Sequence, residues 1–251
     1  MTTWVEAGLW GLLGGSALVV GAAVAWLVRV PRGVVASVMA FGAGVLISAL
    51  AFDLAQEAAD LGGLGPTVLG FLCGAVLYFL ANVALARRGA RHRKRSGDPP
   101  ASEAGTSGSG TAIAVGALLD GIPESVVLGV SLLGGAGVST AMLVAVVISN
   151  VPEGLSSASG MKGAGRSARY VFGVWGTIAL VSGAAAALGA LVLGSASPAA
   201  VAVITAVAAG AILTMVADTM IPEAFERTHL ATGVLASLGF LIAFAVSRLG
   251  G

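Results

Sequence analysis

Acidic residues lie inside stretches of this chain that are otherwise apolar enough to span a lipid bilayer. A charged carboxylate in hydrocarbon costs several kcal/mol unless a proton, water, a partner or a bound cation stabilises it. No lysine or arginine lies in the same stretches, so the pattern favours a cation that the protein carries as cargo. Seven of the twelve acidic residues are placed in this way: Asp53, Glu57, Asp120, Glu124, Glu153, Asp218 and Glu223.

A short motif, an aliphatic residue followed by Pro-Glu, occurs three times. A proline within a helix removes one backbone hydrogen bond and frees the carbonyl four residues earlier. At membrane depth such a carbonyl needs protein, water or an ion as its partner. Each copy therefore offers a carboxylate and a backbone oxygen together. The copies are Ile122 to Glu124, Val151 to Glu153 and Ile221 to Glu223.

Polar residues just before the first two motifs extend the set of oxygen atoms. Residues four apart share a helix face, so Asp120 lies beside Glu124 and Ser149 beside Glu153, with Asn150 nearby. A short loop joins the two helices, which makes them antiparallel neighbours. At 1.5 Å rise per residue, both motifs lie roughly 15 to 22 Å from that loop, near the middle of a bilayer.

Carboxylate, amide and hydroxyl oxygens are ligands for hard or borderline divalent cations such as Mn²⁺, Fe²⁺, Mg²⁺ or Zn²⁺. The alternative is that the proline kinks and protonated glutamates serve helix packing alone. We predict metal ligands at Asp120, Glu124, Asn150 and Glu153, an auxiliary oxygen at Ser149, a release path at Asp218 and Glu223, and an outer entrance at Asp53 and Glu57.

The composition predicts the elements that must position these residues. The chain has 251 residues, of which 57% are apolar and 10% charged, as in polytopic membrane proteins. Roughly 20 apolar residues form a helix that crosses the hydrocarbon layer. We therefore predict an all-α fold, with residues 1–251 as one membrane domain of eight transmembrane helices. The predicted spans are about 7–28, 34–58, 65–86, 111–133, 139–161, 170–194, 199–225 and 231–249.

The basic residues predict the orientation, because cytoplasmic loops retain lysine and arginine. Twelve of the thirteen basic residues lie in the first, third, fifth and seventh loops. Both termini are therefore expected outside the cytoplasm, in a multi-pass protein of the cell membrane. Arg248 is the exception and is expected to reach the headgroups. Residues 87–110, basic and then rich in Pro, Gly and Ser, are predicted to form a flexible cytoplasmic loop.

The motifs resemble those of the ZIP (Zrt/Irt-like) divalent-metal transporters. The similarity rests on Pro-Glu in the fourth span, Asn-x-Pro-Glu-Gly from Asn150 to Gly154 in the fifth, the long loop after the third span, and eight spans with both ends outside. The resemblance implies uptake of zinc, iron, manganese or cadmium into the cytoplasm by alternating access. It also implies a homodimer in the lipid bilayer.

The chain departs from the family pattern at every histidine ligand. Where the family's fourth-span motif commonly reads His-Asn-x-Pro-Glu-Gly, Asp120 stands at the histidine, Gly121 at the asparagine and Glu124 at the glutamate. Ser149 begins the fifth-span motif, where the family usually has His or Gln. Asp218 stands where a His-Glu pair often precedes the seventh-span motif. The resemblance therefore implies an all-oxygen metal site.

The same residues bear on other possible functions of the chain. The chain has no His-Glu-x-x-His motif, no histidine in a predicted span and no buried basic residue to meet a phosphate, so we predict that it is not an enzyme. No cofactor beyond the transported ion and no nucleic-acid partner is expected. Two alternatives stay open: a proton-linked carrier of a small organic solute, with Asp120, Glu124 and Glu153 relaying protons, and a metal-binding relative that does not transport.

Overall fold

The chain folds as a bundle of long helices, as the sequence predicts. A computed structural model describes residues 3–85, 87, 109–134, 138–163 and 165–249. Most of the predicted flexible loop, residues 88–108, lies outside the described residues. The helices are α1 (Thr3–Leu27), α2 (Arg32–Gly62), α3 (Leu64–Leu85), α4 (Ser109–Ser131), α5 (Thr140–Gly163), α6 (Ala168–Leu193), α7 (Pro198–Thr228) and α8 (Ala231–Leu249).

Seven of these helices are long and apolar enough to cross a membrane, so the chain is a multi-pass membrane protein. The helix α4, which carries two of the predicted ligands, is not among the seven. The all-helical class is confirmed, and each predicted span coincides with one helix to within a few residues. The crossing of the membrane by all eight helices and the side on which the termini lie stay predictions.

The helices pack in a pattern that relates the first three to the last three. α1 packs along α6, α2 packs along α8, and α3 packs along α7. If α1 is exchanged with α6, α2 with α7 and α3 with α8, the same three pairings result. The remaining two helices fit between these groups, with α4 against α6 and α5 against α1 and α2. The predicted metal ligands of α4 and α5 therefore lie on the two helices outside these three pairings.

The related helices α2 and α7 share a local irregularity. Each is 31 residues long. A π-helical turn interrupts each of them, at Leu50–Ala55 in α2 and at Val216–Met220 in α7. Each turn contains one aspartate, Asp53 or Asp218. The turn in α7 ends at Met220, two residues before Pro222, whose ring removes a backbone donor. The helices α4 and α5 instead run through their prolines without such a turn.

Small residues bring α1 and α5 into backbone contact around the second Pro-Glu motif. A Cβ atom added at Gly154 would overlap the carbonyl oxygen of Leu18, and one added at Gly21 would overlap the carbonyl oxygen of Val151. Close approach of this kind is how helices associate in lipid, where apolar burial gives little drive. The backbone on both sides of Glu153 is thus held against α1.

The surface of the bundle is apolar where lipid would surround it. On α3, Leu69 and Leu72 are 72% and 58% exposed, and on α8 Leu241 is 58% exposed. A soluble protein would bury most such side chains, but a lipid-facing helix exposes them without cost. The interior is therefore formed mainly by the inward faces of α1, α2, α5 and α7, which carry most of the buried side chains.

Candidate functional site

The predicted metal ligands on α4 and α5 are deeply buried. Asp120 and Glu124 are each 2% exposed, and Glu153 is 8% exposed. Ser149 and Asn150 are 2% and 4% exposed. Carboxylates are almost never this buried unless a partner, a proton or a cation stabilises them. All five predicted ligands are therefore buried, and their role as metal ligands stays a prediction.

Tyr78 fixes the carboxylate of Asp120. Its hydroxyl donates a hydrogen bond of 2.5 Å to Asp120 Oδ1, joining α3 to α4. Tyr78 is 2% exposed on a helix that otherwise turns much of its apolar surface outward. The sequence did not single it out, although a tyrosine in a span needs a partner for its hydroxyl. The bond orients one oxygen of a predicted metal ligand.

Asn150 is fixed by the backbone of α1. Its Nδ2 donates to the Gly14 carbonyl oxygen over 3.0 Å. Because the amide nitrogen makes this bond, the amide oxygen is the atom that could accept a bond or bind a cation. The hydroxyl of Ser149 donates its hydrogen to the Val146 carbonyl of the same helix over 3.0 Å. The lone pairs of the Ser149 oxygen could still bind a cation.

Ser156 links α5 to the third Pro-Glu motif. Its hydroxyl donates to Glu223 Oε1 over 2.9 Å, and the two side chains are 1% and 6% exposed. Ser156 lies three residues after Glu153, on the same face of α5. Glu223 of α7 therefore reaches α5 one turn along from a predicted metal ligand. The sequence predicted Glu223 but missed Ser156, which the i, i+3 spacing could have indicated.

Asp218 does not share this buried environment. It is exposed on the π-helical turn of α7. Its neighbour Thr219 is partly buried and donates its hydroxyl hydrogen to the Met215 carbonyl over 2.6 Å. The structure thus places Asp218 and Glu223 in different surroundings, one exposed and one buried. A role for Asp218 on a release path stays a prediction.

The acids do not form a ready-made metal cage. Within the described ranges, no three His, Cys, Asp or Glu side chains are grouped so that they could hold one ion. The helix α1 packs against both helices that carry the predicted ligands. A Cβ added at Gly14 of α1 would come within 3.3 Å of the Leu128 side chain of α4 and within 3.1 Å of the Val146 side chain of α5.

The predicted entrance residues share one cavity at the far end of α2. Asp53 and Glu57 line it together with Asp60, and its volume is about 360 Å³. Ser247 of α8 donates to Asp53 Oδ1 over 2.9 Å. Among the described atoms, the other oxygen, Oδ2, is buried and has no hydrogen-bond partner. The acids of the predicted entrance thus line one cavity, and their role as an entrance stays a prediction. Ser247 is a contact that the sequence missed.

Arg248 also lines this cavity. Its guanidinium lies 5.9 Å from the ring centroid of Phe52 and 5.3 Å from that of Phe244, which are cation–π distances. The sequence interpretation had Arg248 reaching toward lipid headgroups. The structure holds its charge beside Asp53 and Glu57, where the two rings support its side chain, and contact with the headgroups stays a prediction.

The sequence was compared with known proteins. No protein-family model matches the chain, and no curated protein matches it. The likeness to the ZIP transporters therefore rests on the short motifs of α4, α5 and α7 and on the number of spans.

Proposed function

We propose that this protein is a divalent-metal transporter of the cell membrane, with Asp120, Glu124, Asn150 and Glu153 as metal ligands. One observation carries the proposal: three carboxylates are at most 8% exposed inside a bundle of apolar helices. Among the described residues, no lysine, arginine or histidine side chain is buried with them. A divalent cation is the partner that would neutralise such acids as it passes.

The packing of the bundle supports a transporter. Internal repeats related by opposite orientation in the membrane are common in secondary transporters, whose substrate sites lie near the bilayer midplane. The equivalent pairings of α1 to α3 and α6 to α8 support such an arrangement. If all eight helices cross, five spans separate the start of α1 from the start of α6, which would invert one group relative to the other. α4 and α5 would then carry the metal between the two groups in alternating access, with both termini outside.

A site without a preformed cluster of three such side chains among the described residues suits an ion that must leave again. A rigid cage of charged ligands would hold a divalent ion too tightly for turnover, whereas sites that bind moderately allow release. In the proposed cycle, metal draws Glu124 and Glu153 toward one another, and release returns Asp120 and Glu223 to their bonds with Tyr78 and Ser156. Zn²⁺, Fe²⁺, Mn²⁺ and Cd²⁺ are the candidate ions.

A proton-linked solute carrier is the second candidate. Two hydroxyl–carboxylate hydrogen bonds, Tyr78 to Asp120 and Ser156 to Glu223, are arrangements that could pass protons. The lack of a three-acid cluster among the described residues also favours this reading over a preformed metal site. In this candidate, the same carboxylates bind protons and a small organic solute fills the space between the helices.

Uptake of radiolabelled ions into proteoliposomes separates the two candidates. The purified full chain should take up at least one of Zn²⁺, Fe²⁺, Mn²⁺ and Cd²⁺ with saturation, and the others should compete. Glu153→Ala should abolish this uptake, while Glu226→Ala, at an exposed position toward the end of α7, should retain it. Proton uptake that depends on an organic solute and ignores all four metals would reject the metal proposal.

A further inference from the structure

A second cavity lies at the other end of α2 from Asp53. Its volume is about 400 Å³, and it is enclosed by the end of α1, the start of α2 and the end of α5. Arg32 and Asp53 are separated by 21 helical positions, or about 30 Å along α2. Three basic side chains line the cavity, those of Arg29, Arg32 and Lys162. Within the described structure, no acidic residue lines it.

Lys162 is held at the cavity by α1. Its Nζ donates to the Trp26 carbonyl oxygen over 2.6 Å and lies 5.2 Å from the centroid of the Trp26 ring. These two contacts restrain a side chain that would otherwise sample many rotamers in solvent. An ammonium group has three N–H donors, so Lys162 can keep its bond to Trp26 and still donate to a ligand.

The other lining groups suit the oxygens of an anion. Arg32 has a polar interaction of its own, and a guanidinium with five N–H donors can retain one partner while donating to another. Ser159, three residues before Lys162 on the same face of α5, adds an exposed hydroxyl donor. The apolar residues Val35 and Leu155 close the wall. Charged donors around a low-dielectric wall concentrate positive potential in the cavity.

The preference of basic residues for cytoplasmic loops does not by itself explain why three of them line one cavity. Basic residues gather at the cytoplasmic ends of spans in any membrane protein. Arg87, Arg169 and Arg227 fit that description, since they are exposed and do not line the cavity. Arg29, Arg32 and Lys162 differ because helices α1, α2 and α5 bring them to one concave space.

We infer that this cavity binds the phosphate group of an anionic ligand, either a lipid headgroup or a soluble phosphate. Two guanidinium groups and an ammonium group supply charge-assisted donors to phosphate oxygens, and arginine does so in a bidentate geometry. The volume falls in the range of small-ligand pockets. The inference does not depend on metal transport.

Binding to the purified full chain in detergent tests this site in two arms. One arm measures equilibrium binding of radiolabelled inorganic phosphate, at an ionic strength held constant with chloride. The other compares short-chain phosphatidylglycerol with phosphatidylcholine by native mass spectrometry. Saturable phosphate binding identifies a soluble ligand, and retention of phosphatidylglycerol over phosphatidylcholine identifies a lipid headgroup. Either result supports the site, and absence of both overturns it.

Charge-matched variants show whether the cavity is responsible. Replacing Arg29, Arg32 and Lys162 together with glutamine should weaken the observed binding by roughly tenfold or more, since each lost charge-assisted bond contributes appreciably. The control replaces Arg87, Arg169 and Arg227 with glutamine, which removes the same charge. Equal loss in both triple variants would overturn the inference by showing that net charge alone attracts the anion.

A second variant keeps every charge and removes the space. Ser159 is exposed, so Ser159→Phe places a ring at the cavity with little expected cost to folding. It should weaken phosphate or phosphatidylglycerol binding by a similar factor. Unchanged binding by Ser159→Phe would overturn the assignment to this cavity, even if the triple glutamine variant failed to fold.

Discussion

The cavities at the two ends of α2 carry opposite charge. Asp53, Glu57 and Asp60 line one of them, whereas the other is lined by Arg29, Arg32 and Lys162. The first has Arg248 as its only basic lining residue, and the second has no acidic one among the described residues. A cation approaching the first cavity is attracted, and a cation approaching the second is repelled.

This difference in charge makes the two ends of the molecule unequal for an approaching cation. In the proposed orientation the acidic cavity faces outward and the basic cavity faces the cytoplasm. A cleft lined by charges of one sign raises the local concentration of ions of the opposite sign and the rate at which they associate. Ser156 connects the basic end to a buried acid, because it both lines that cavity and donates to Glu223. Metal would be collected at one end and discouraged from returning at the other.

The largest expected effect distinguishes the binding of metal at the buried acids from its attraction to the acidic cavity. Glu124 is 2% exposed, whereas Glu57 lines an open cavity at the end of α2. Losing a buried charged ligand should cost about 3 kcal/mol of binding free energy, so Glu124→Gln should weaken metal uptake roughly 100-fold. Glu57→Gln should weaken it only a few-fold, which initial rates in proteoliposomes would measure. Equal losses would erase the distinction between the mouth and the buried site.

How much of this the sequence predicts depends on the element. The spans are well predicted because long apolar runs allow only a helix in lipid, as the predicted span 170–194 and the observed Ala168–Leu193 illustrate. The π-helical turn at Leu50–Ala55 was not predicted. No proline or glycine lies within it, so no local residue of the kind that usually marks such a turn predicts it.

The site shows the same division. The burial of Asp120 and Glu153 follows from their apolar flanks, and the structure confirms it. The partners Tyr78 and Ser156 depend on how α3 and α5 are rotated about their axes. A helix that is apolar on all sides has little periodicity from which to read that rotation. Apolar flanks therefore agree with the burial of Asp120 and Glu153, but Asp218 has apolar flanks too and is exposed. Both this difference and the hydrogen-bond partners require the packed structure.

A tenfold effect is expected from the hydroxyl that orients Asp120. Tyr78→Phe removes the donor to Asp120 Oδ1 and keeps the ring. Groups that orient a metal ligand typically contribute about 10- to 100-fold to affinity, so metal binding should weaken by about tenfold. The matched control is Tyr170→Phe, because Tyr170 is the only other tyrosine and stacks with Arg166 at 4.7 Å. Titration of both variants with Mn²⁺ or Cd²⁺ measures the difference, and similar affinities would detach Tyr78 from the metal site.

The smallest expected effect concerns Arg248, the basic residue among the described residues that line the acidic cavity. Arg248→Gln removes its positive charge without changing Asp53 or Glu57, so the cavity becomes more negative and should attract cations faster. The initial uptake rate should rise by about threefold at low ionic strength and return toward the wild-type rate near 0.3 M salt, where the screening length is about 6 Å. Arg169→Gln makes the same charge change at an exposed position on α6 and should leave the rate unaltered. If both variants accelerate uptake equally, the effect belongs to the net charge of the protein, and the contrast between its two ends does not steer the ion.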